Sequence, residues 1–104
     1  MTHHISPVLL FVYNRPSHTR KMLAALEGAN LAAESEVFIF SDGAKDANNI
    51  DLVNKVRAVI SEAWNFKNIT IIERPTNLGL ATNIIDGVTT VVKKYGRVIV
   101  LEDD

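Results

Sequence analysis

The stretch Pro7–Arg15, with the sequence PVLLFVYNR, decides the fold because an apolar run, Val8–Tyr13, is followed at once by polar residues. Further apolar runs occupy Val37–Phe40, Ile69–Ile72 and Val98–Leu101. Each is short and rich in β-branched or aromatic residues, and none alternates between apolar and polar positions. This pattern is typical of strands that are covered on both faces of a parallel sheet.

Helical patterns separate these runs. The sequence predicts a first helix that begins near Pro16, a second over Leu52–Ile60 that extends towards Trp64, and a third over Leu80–Val92. The order is then β-α-β-α-β-α-β. It predicts a three-layer α/β/α fold whose parallel four-strand sheet has the order 3-2-1-4 with right-handed crossovers.

The composition is that of one globular domain. The chain has 104 residues, of which 47% are hydrophobic and 22% charged, with a net charge of −1 and no cysteine. The charge argues against a strongly basic nucleic-acid binder, and the lack of cysteine excludes a disulfide scaffold and a thiolate metal site. We expect residues 1–104 to be a single N-terminal subdomain of a longer cytoplasmic protein, which other regions hold at the inner face of a membrane.

Polar and charged residues follow every predicted strand. Asn14 and Arg15 follow the first strand, Asp42 the second, Arg74 the third, and Glu102–Asp104 the fourth. Open α/β sheets bind ligands outside the carboxyl ends of their strands, at the point where the strand order reverses. The sequence therefore predicts a binding site at this edge.

The acidic run Glu102–Asp104 is the sharpest of these features. Adjacent carboxylates repel one another, so a cluster behind a buried strand needs a cation or water beside it. Carboxylates in this position suit Mg²⁺ or Mn²⁺ that bridges the phosphates of a substrate. The alternative is a solvated acidic segment without a ligand.

Each of the other polar residues allows two interpretations, one as a ligand contact and one as a structural residue. Asp42 can accept a hydrogen bond from a base or a ribose, or it can belong to a plain Asp-Gly turn. Tyr13 can line a base pocket or cover the sheet edge, and Arg15 can bind an anion at a helix start or lie on the surface. For Asn77 and Gly79 we favour a helix cap and a turn over contact with a ligand.

Four motifs together resemble those of a known family. They are Pro7–Arg15, Ser41–Gly43, Asn77–Asn83 and Val100–Asp104. In this order and spacing they resemble the N-terminal, nucleotide-binding half of glycosyltransferases with the GT-A fold, especially the large bacterial family 2. The Asn-Arg pair and the Glu-Asp-Asp form of the acidic motif are also similar to the N-acetylglucosaminyltransferase I group. The resemblance covers nearly the whole chain.

The resemblance implies roles for individual residues. It assigns nucleotide-sugar binding to Tyr13, Asn14, Arg15, Asp42, Arg74 and Asp103. Asp42 would hydrogen-bond the base, commonly uracil, and Asp103 would contact the ribose or the donor sugar. Asp104, together with Asp103, would hold Mn²⁺ or Mg²⁺ on the diphosphate.

The implied function is transfer of a sugar, as in a hexosyltransferase, from a nucleotide-diphosphate sugar that is UDP-linked. The acceptor, whether glycan, lipid or protein, is unknown. The catalytic base is expected downstream of Asp104, so residues 1–104 alone are expected to be inactive as an enzyme. The alternative is a non-catalytic α/β nucleotide-binding or interaction module. We expect no nucleic-acid partner. We also expect the chain to be truncated after the acidic motif and to form a homo-oligomer through the apolar surfaces that the truncation exposes. No Gly-rich dinucleotide or P-loop motif follows the first strand.

Overall fold

The computed structural model describes residues 6–29 and 34–102. Strands and helices alternate along them. The elements are β1 (Val8–Val12), α1 (Pro16–Glu27), β2 (Glu36–Ser41), α2 (Ile50–Ile60), β3 (Asn68–Glu73), α3 (Leu80–Tyr95) and β4 (Ile99–Glu102).

The sheet has the predicted topology. Its strand order is β3-β2-β1-β4, and all three neighbouring pairs are parallel. Phe11 of β1 is level with Phe40 of β2 on one side and with Glu102 of β4 on the other. The carboxyl ends of the four strands therefore meet at one edge, where the loops to the helices begin.

Strand β1 forms the centre of the core because every residue in it is buried. Its side chains alternate between two clusters. Leu10 packs with Leu23 of α1 and Val56 of α2 on one face, and Leu9 and Phe11 pack with residues of α3 on the other. The chain thus forms the expected three-layer, Rossmann-like α/β fold, with two helices on one face of the sheet and one on the other.

The second helix is shorter than predicted. It ends at Ile60, and Trp64 lies beyond it with its indole N–H donating to the carbonyl of Val59 at 2.9 Å. That bond satisfies one of the carbonyls that a helix end leaves free, and it folds Trp64 back against the core. The predicted extension towards Trp64 was therefore wrong, since an apolar residue can pack as well from a turn as from a helix.

The third helix runs slightly beyond its predicted end. It continues to Tyr95 and stops at Gly96, which has a φ of 81° and is the left-handed residue that commonly ends a helix. Across the residues that the structure describes, none of the helices combines the length and the apolar character needed to cross a membrane.

Candidate functional site

A pocket of about 260 Å³ opens at the carboxyl edge of the sheet. Its walls come from the end of β1, the loops after β2 and β3, and the first turn of α3. It is lined by Phe11, Val12, Tyr13, Asp42, Lys45, Asn77, Gly79, Leu80 and Asn83. The pocket lies at the carboxyl end of β1, the strand that borders the point where the strand order reverses.

Asp42 lies at the base of this site and is buried. Its Oδ1 accepts the backbone N–H of Gly43 at 2.9 Å and that of Leu78 at 2.8 Å. Its Oδ2 accepts the backbone N–H of Gly79 at 3.0 Å and the side-chain amide of Asn77 at 3.2 Å. These four donors match the roughly four lone-pair sites of a carboxylate. Asp42 therefore fastens the loop after β3 to the end of β2.

Gly43 is required by the closeness of the two loops. A Cβ at this position would lie 2.6 Å from the carbonyl carbon of Thr76 and 2.8 Å from its oxygen. Both are backbone atoms, which cannot swing away as a side chain can. The Asp-Gly pair thus serves two purposes, since the carboxylate binds the neighbouring loop and the glycine leaves room for it.

Arg57 of α2 supports the strand ends behind the pocket, a role that the sequence did not reveal. Its Nε donates to Oγ of Ser41 at 3.0 Å, and its Nη2 donates to the carbonyl of Arg74 at 2.9 Å. The guanidinium also reaches Glu73 as an ion pair at 3.7 Å. It therefore ties the ends of β2 and β3 together. In the sequence Arg57 is one polar position on an amphipathic helix, and only the packing of α2 brings it to the strand ends.

Arg74 is part of the same framework. Its guanidinium lies 5.2 Å from the ring centre of Phe40, donates from Nε to Oδ1 of Asn83 at 2.9 Å, and pairs with Asp86 at 2.7 Å. Arg74 does not line the pocket, but its partner Asn83, which is buried, does. The predicted nucleotide contact by Arg74 stays a prediction, and the structure shows what its side chain binds within the chain.

The three residues after β1 differ in where they lie. Tyr13 lines the pocket, and its hydroxyl accepts the backbone N–H of Lys45 at 2.9 Å. Asn14 does not line it and donates from its side-chain amide to Asn49 at 2.8 Å. Arg15 precedes α1 and places Nη2 2.6 Å from Nε2 of His18. Of the three, Tyr13 is the one that faces the pocket.

The start of α3 differs from the prediction in one respect. Gly79 is the residue before the helix and has a φ of 83°, which suits glycine, but no side chain caps the helix there. Asn77 is not the cap, because its amide points away to Asp42 and to the carbonyl of Gly43 at 2.8 Å. The expected cap was wrong since bonds to the neighbouring loop hold Asn77 instead.

The acidic run is described only in part. Glu102 ends β4, is exposed and lies on the same edge of the sheet as Asp42. Asp103 and Asp104 lie outside the described residues. Within residues 6–29 and 34–102, no group of three His, Cys, Asp or Glu residues is placed to hold a metal ion. The predicted Mn²⁺ or Mg²⁺ ligands, Asp103 and Asp104, stay a prediction.

The fold and the pocket define the class of this protein as a Rossmann-like α/β protein with a site at the carboxyl edge of its sheet. No protein-family model matches the chain, and a search of curated proteins found no match either. A narrower assignment therefore depends on the motifs and on the chemistry of the site.

Proposed function

We propose that this chain binds a nucleotide-diphosphate sugar, UDP-linked, as the donor-binding portion of a glycosyltransferase. The observation that supports the proposal is the pocket beside Tyr13, which stands at the place where open α/β sheets bind their ligands. Its lining mixes apolar Phe11 and Leu80 with the amides of Asn77 and Asn83. Such a mixture suits a flat heterocyclic base with polar edges.

The size of the pocket limits what it can hold. Its volume of about 260 Å³ is below the roughly 300–1,000 Å³ that is typical of pockets enclosing a drug-sized ligand. In this proposal the pocket takes the base, and the ribose and diphosphate extend along the edge towards Glu102. Asp103 and Asp104 would hold the divalent cation, which neutralises the charge of the diphosphate leaving group when it is bound.

Asp42 acts indirectly in this proposal. Its four bonds to neighbouring donors hold Asn77 and Gly79 in the pocket wall. A direct bond between Asp42 and a base would have to replace one of these bonds. We therefore place the first contacts to the base on Tyr13, Asn77 and Leu80, which line the pocket.

A second candidate function is a non-catalytic nucleotide-binding or interaction module. It is favoured by the same four bonds of Asp42, because a carboxylate fully used within the chain is not available to a substrate. The two candidates differ in one measurable property, which is whether a divalent cation strengthens the binding of a nucleoside diphosphate.

Isothermal titration calorimetry with uridine diphosphate, with and without Mn²⁺, tests the proposal. Leu80→Trp narrows the pocket at an exposed position and is expected to abolish binding of the nucleotide, whereas Ile50→Trp, an equally exposed control on α2, leaves binding unchanged.

Asp104→Asn is expected to remove the effect of Mn²⁺ on the affinity for uridine diphosphate, and Asp51→Asn on α2 is its control. Failure of the nucleotide to bind under any condition would refute the proposal. Binding that ignores Mn²⁺ would favour the second candidate.

A further inference from the structure

Asn83 is a buried polar residue in the wall of the pocket. It lies in the first turn of α3, and only 1% of it is exposed. Nε of Arg74 donates to its side-chain amide at 2.9 Å. Because a guanidinium carries donors and no acceptor, the amide atom that faces it must be the oxygen, Oδ1. The bond therefore fixes the orientation of the amide and turns Nδ2, with its two N–H donors, the other way.

Nδ2 of Asn83 is open to the pocket. It makes no hydrogen bond within residues 6–29 and 34–102. In that part of the chain, the buried side-chain atom that lacks a hydrogen bond is Nη2 of Arg74, which is ion-paired with Asp86. Nδ2 of Asn83 is therefore not sealed in the interior, and the open space that Asn83 lines is the pocket. A donor held in this position calls for an acceptor on whatever fills the pocket.

Asn77, in the wall of the same pocket, presents the opposite group. Its Nδ2 donates to Oδ2 of Asp42 at 3.2 Å and to the carbonyl of Gly43 at 2.8 Å. These two bonds use both N–H donors of the amide, and Oδ1 is left as an acceptor to which no described residue donates. Asn83 thus offers donors and Asn77 offers an acceptor, and the bonds on their other sides prevent either amide from turning over.

The remaining polar groups of the pocket do not discriminate between bases. The hydroxyl of Tyr13 accepts the backbone N–H of Lys45 and can still either donate or accept, since its proton rotates. The side chain of Lys45 is exposed at the rim, where its charge attracts the diphosphate of any nucleotide equally. Selection between bases therefore depends on the two fixed amides.

We propose that the pocket selects a base whose edge carries a carbonyl beside a ring N–H, with Asn83 donating to the carbonyl and Asn77 accepting from the ring N–H. Uracil and guanine have this edge, whereas cytosine and adenine carry an amino group beside an unprotonated nitrogen. Asn83 is then a specificity residue and Arg74 a positioning residue behind it. The inference rests on the proposed function and deepens it, because it names the residues that choose the base.

Calorimetry with matched pairs of nucleotides tests the selection in the wild-type chain. In the presence of Mn²⁺, uridine diphosphate is expected to bind about tenfold or more tightly than cytidine diphosphate, because the cytosine amino group would meet the N–H groups of Asn83. Guanosine and adenosine diphosphates form the second pair. Tighter binding of guanosine than of uridine diphosphate would keep the inference and replace uracil by guanine in the proposed function.

The outcomes separate this inference from the proposed function. Equal binding of uridine and cytidine diphosphates, and of the two purine nucleotides, would overturn the selection and leave a nucleotide site in place. Binding of none of the four would refute both. Because these wild-type measurements need no variant, they decide the proposal even where a variant does not fold.

Asn83→Asp converts the donor into an acceptor with almost no change of shape. Its carboxylate can still accept from Arg74, so it is held in the same place. The preference for uridine over cytidine diphosphate is expected to vanish or reverse, whereas Asn54→Asp, on the exposed surface of α2, leaves it unchanged. The added charge repels both diphosphates alike, so the ratio of the two affinities is the quantity to compare. A ratio that survives in a folded Asn83→Asp variant would contradict the role of Asn83.

Arg74→Met tests the positioning role. Without the guanidinium the Asn83 amide can turn over and offer its oxygen, so the preference for uridine diphosphate is expected to fall. Arg74→Lys, which still has a donor, is expected to retain more of it. If Arg74 instead touched the nucleotide itself, its loss would weaken uridine and cytidine diphosphates equally. An unchanged ratio of affinities in Arg74→Met would therefore refute positioning by Arg74.

Discussion

At the carboxyl ends of β2 and β3, buried and half-buried polar side chains bond to one another, whereas the end of β4 is exposed to solvent. In the first region Asp42, Arg57 and Arg74 each hold two or more groups of neighbouring elements. In the second region Ile99, Val100 and Glu102 are exposed. The two regions lie on the same sheet, but the side chains of the first make many more hydrogen bonds and ion pairs with other described residues than those of the second do.

This difference separates two kinds of charged residue that look alike in a sequence. Asp42 and Glu102 both follow an apolar run, and both are carboxylates at a strand end. Asp42 is buried, and its oxygens accept four hydrogen bonds from the two loops, whereas Glu102 is exposed and can meet a ligand or a partner. A charged residue at a strand end therefore indicates a binding site only where the neighbouring loops leave it free.

The largest effect is expected for Asp42→Ala. The change leaves the N–H groups of Gly43, Leu78 and Gly79 without their acceptor, and buried donors without partners are costly. We expect the free energy of unfolding in urea to fall by about 2–4 kcal/mol. Asp46→Ala is the control, because Asp46 is exposed. Equal losses for the two variants would show that the first region is no more strongly bonded than the surface.

Arg57→Met is expected to come next. It keeps an unbranched apolar stem but removes the donors to Ser41 and to the Arg74 carbonyl, and we expect the free energy of unfolding to fall by about 1.5–3 kcal/mol. Arg20→Met is the control, since Arg20 pairs with Glu62 on the surface. Arg20→Met is expected to lower the free energy of unfolding by clearly less than Arg57→Met does, and by still less in added salt. The same urea titrations, at low and at high salt, measure both.

Gly43→Ala tests the close approach of the loops. The added methyl group meets the backbone of Thr76, and we expect a loss of about 1–3 kcal/mol in the free energy of unfolding. Gly28→Ala is the matched control, because its Cβ would lie 3.6 Å from the nearest atom, which is ordinary contact. Thermal unfolding of the two variants compares them. A Gly43 variant as stable as the wild type would mean that the loops can separate without cost.

A smaller, pH-dependent effect is expected at the amino edge of the sheet. A hydrogen bond to Glu36, followed by burial, raises the pKa of Tyr95 above its ordinary value of 10.0. A raised pKa adds stability that is complete below pH 10 and is lost as the pH rises through the folded value. As the pH rises above 9, the free energy of unfolding should therefore fall less for Tyr95→Phe than for the wild type. Identical pH profiles would contradict this hydrogen bond.

The smallest effect is expected in the exposed region. Glu102→Gln removes one charge from an exposed side chain that makes no hydrogen bond or ion pair with residues 6–29 or 34–102. We expect the free energy of unfolding to change by no more than about 0.5 kcal/mol. A loss as large as that of Asp42→Ala would remove the distinction between the two regions. The free energy of unfolding of both proteins is measured at one protein concentration, so that any association between chains affects them equally.

The fold was predictable because its signals are local. The four apolar runs carry β-branched and aromatic residues without alternation, and this identifies buried parallel strands wherever they lie in space. Pro16 marks the start of α1 correctly, and the pattern over Leu80–Val92 marks α3. The end of α2 was missed because Trp64 packs on the core from outside the helix.

The site was predictable only in its location. The sequence placed Asp42, Tyr13 and Asn77 at the carboxyl edge, and the pocket there is lined by all three. It did not show that Asp42 accepts four bonds, that Arg57 crosses from α2 to the strand ends, or that Asn77 binds the loop of Gly43. Apart from the bond to Asp42 from the adjacent Gly43, these contacts join residues that lie 15 to 37 positions apart in the chain.

The sequence by itself determined the alternation of strands and helices, the parallel sheet and the edge at which polar residues collect. Periodicity and turn residues act over a few positions, so they can be read without knowledge of the rest of the chain. The tertiary structure decided which of those polar residues are used within the fold and which face the pocket. That choice depends on how closely the loops after β2 and β3 approach one another, and the distance between two loops is set by the packing of every element beneath them.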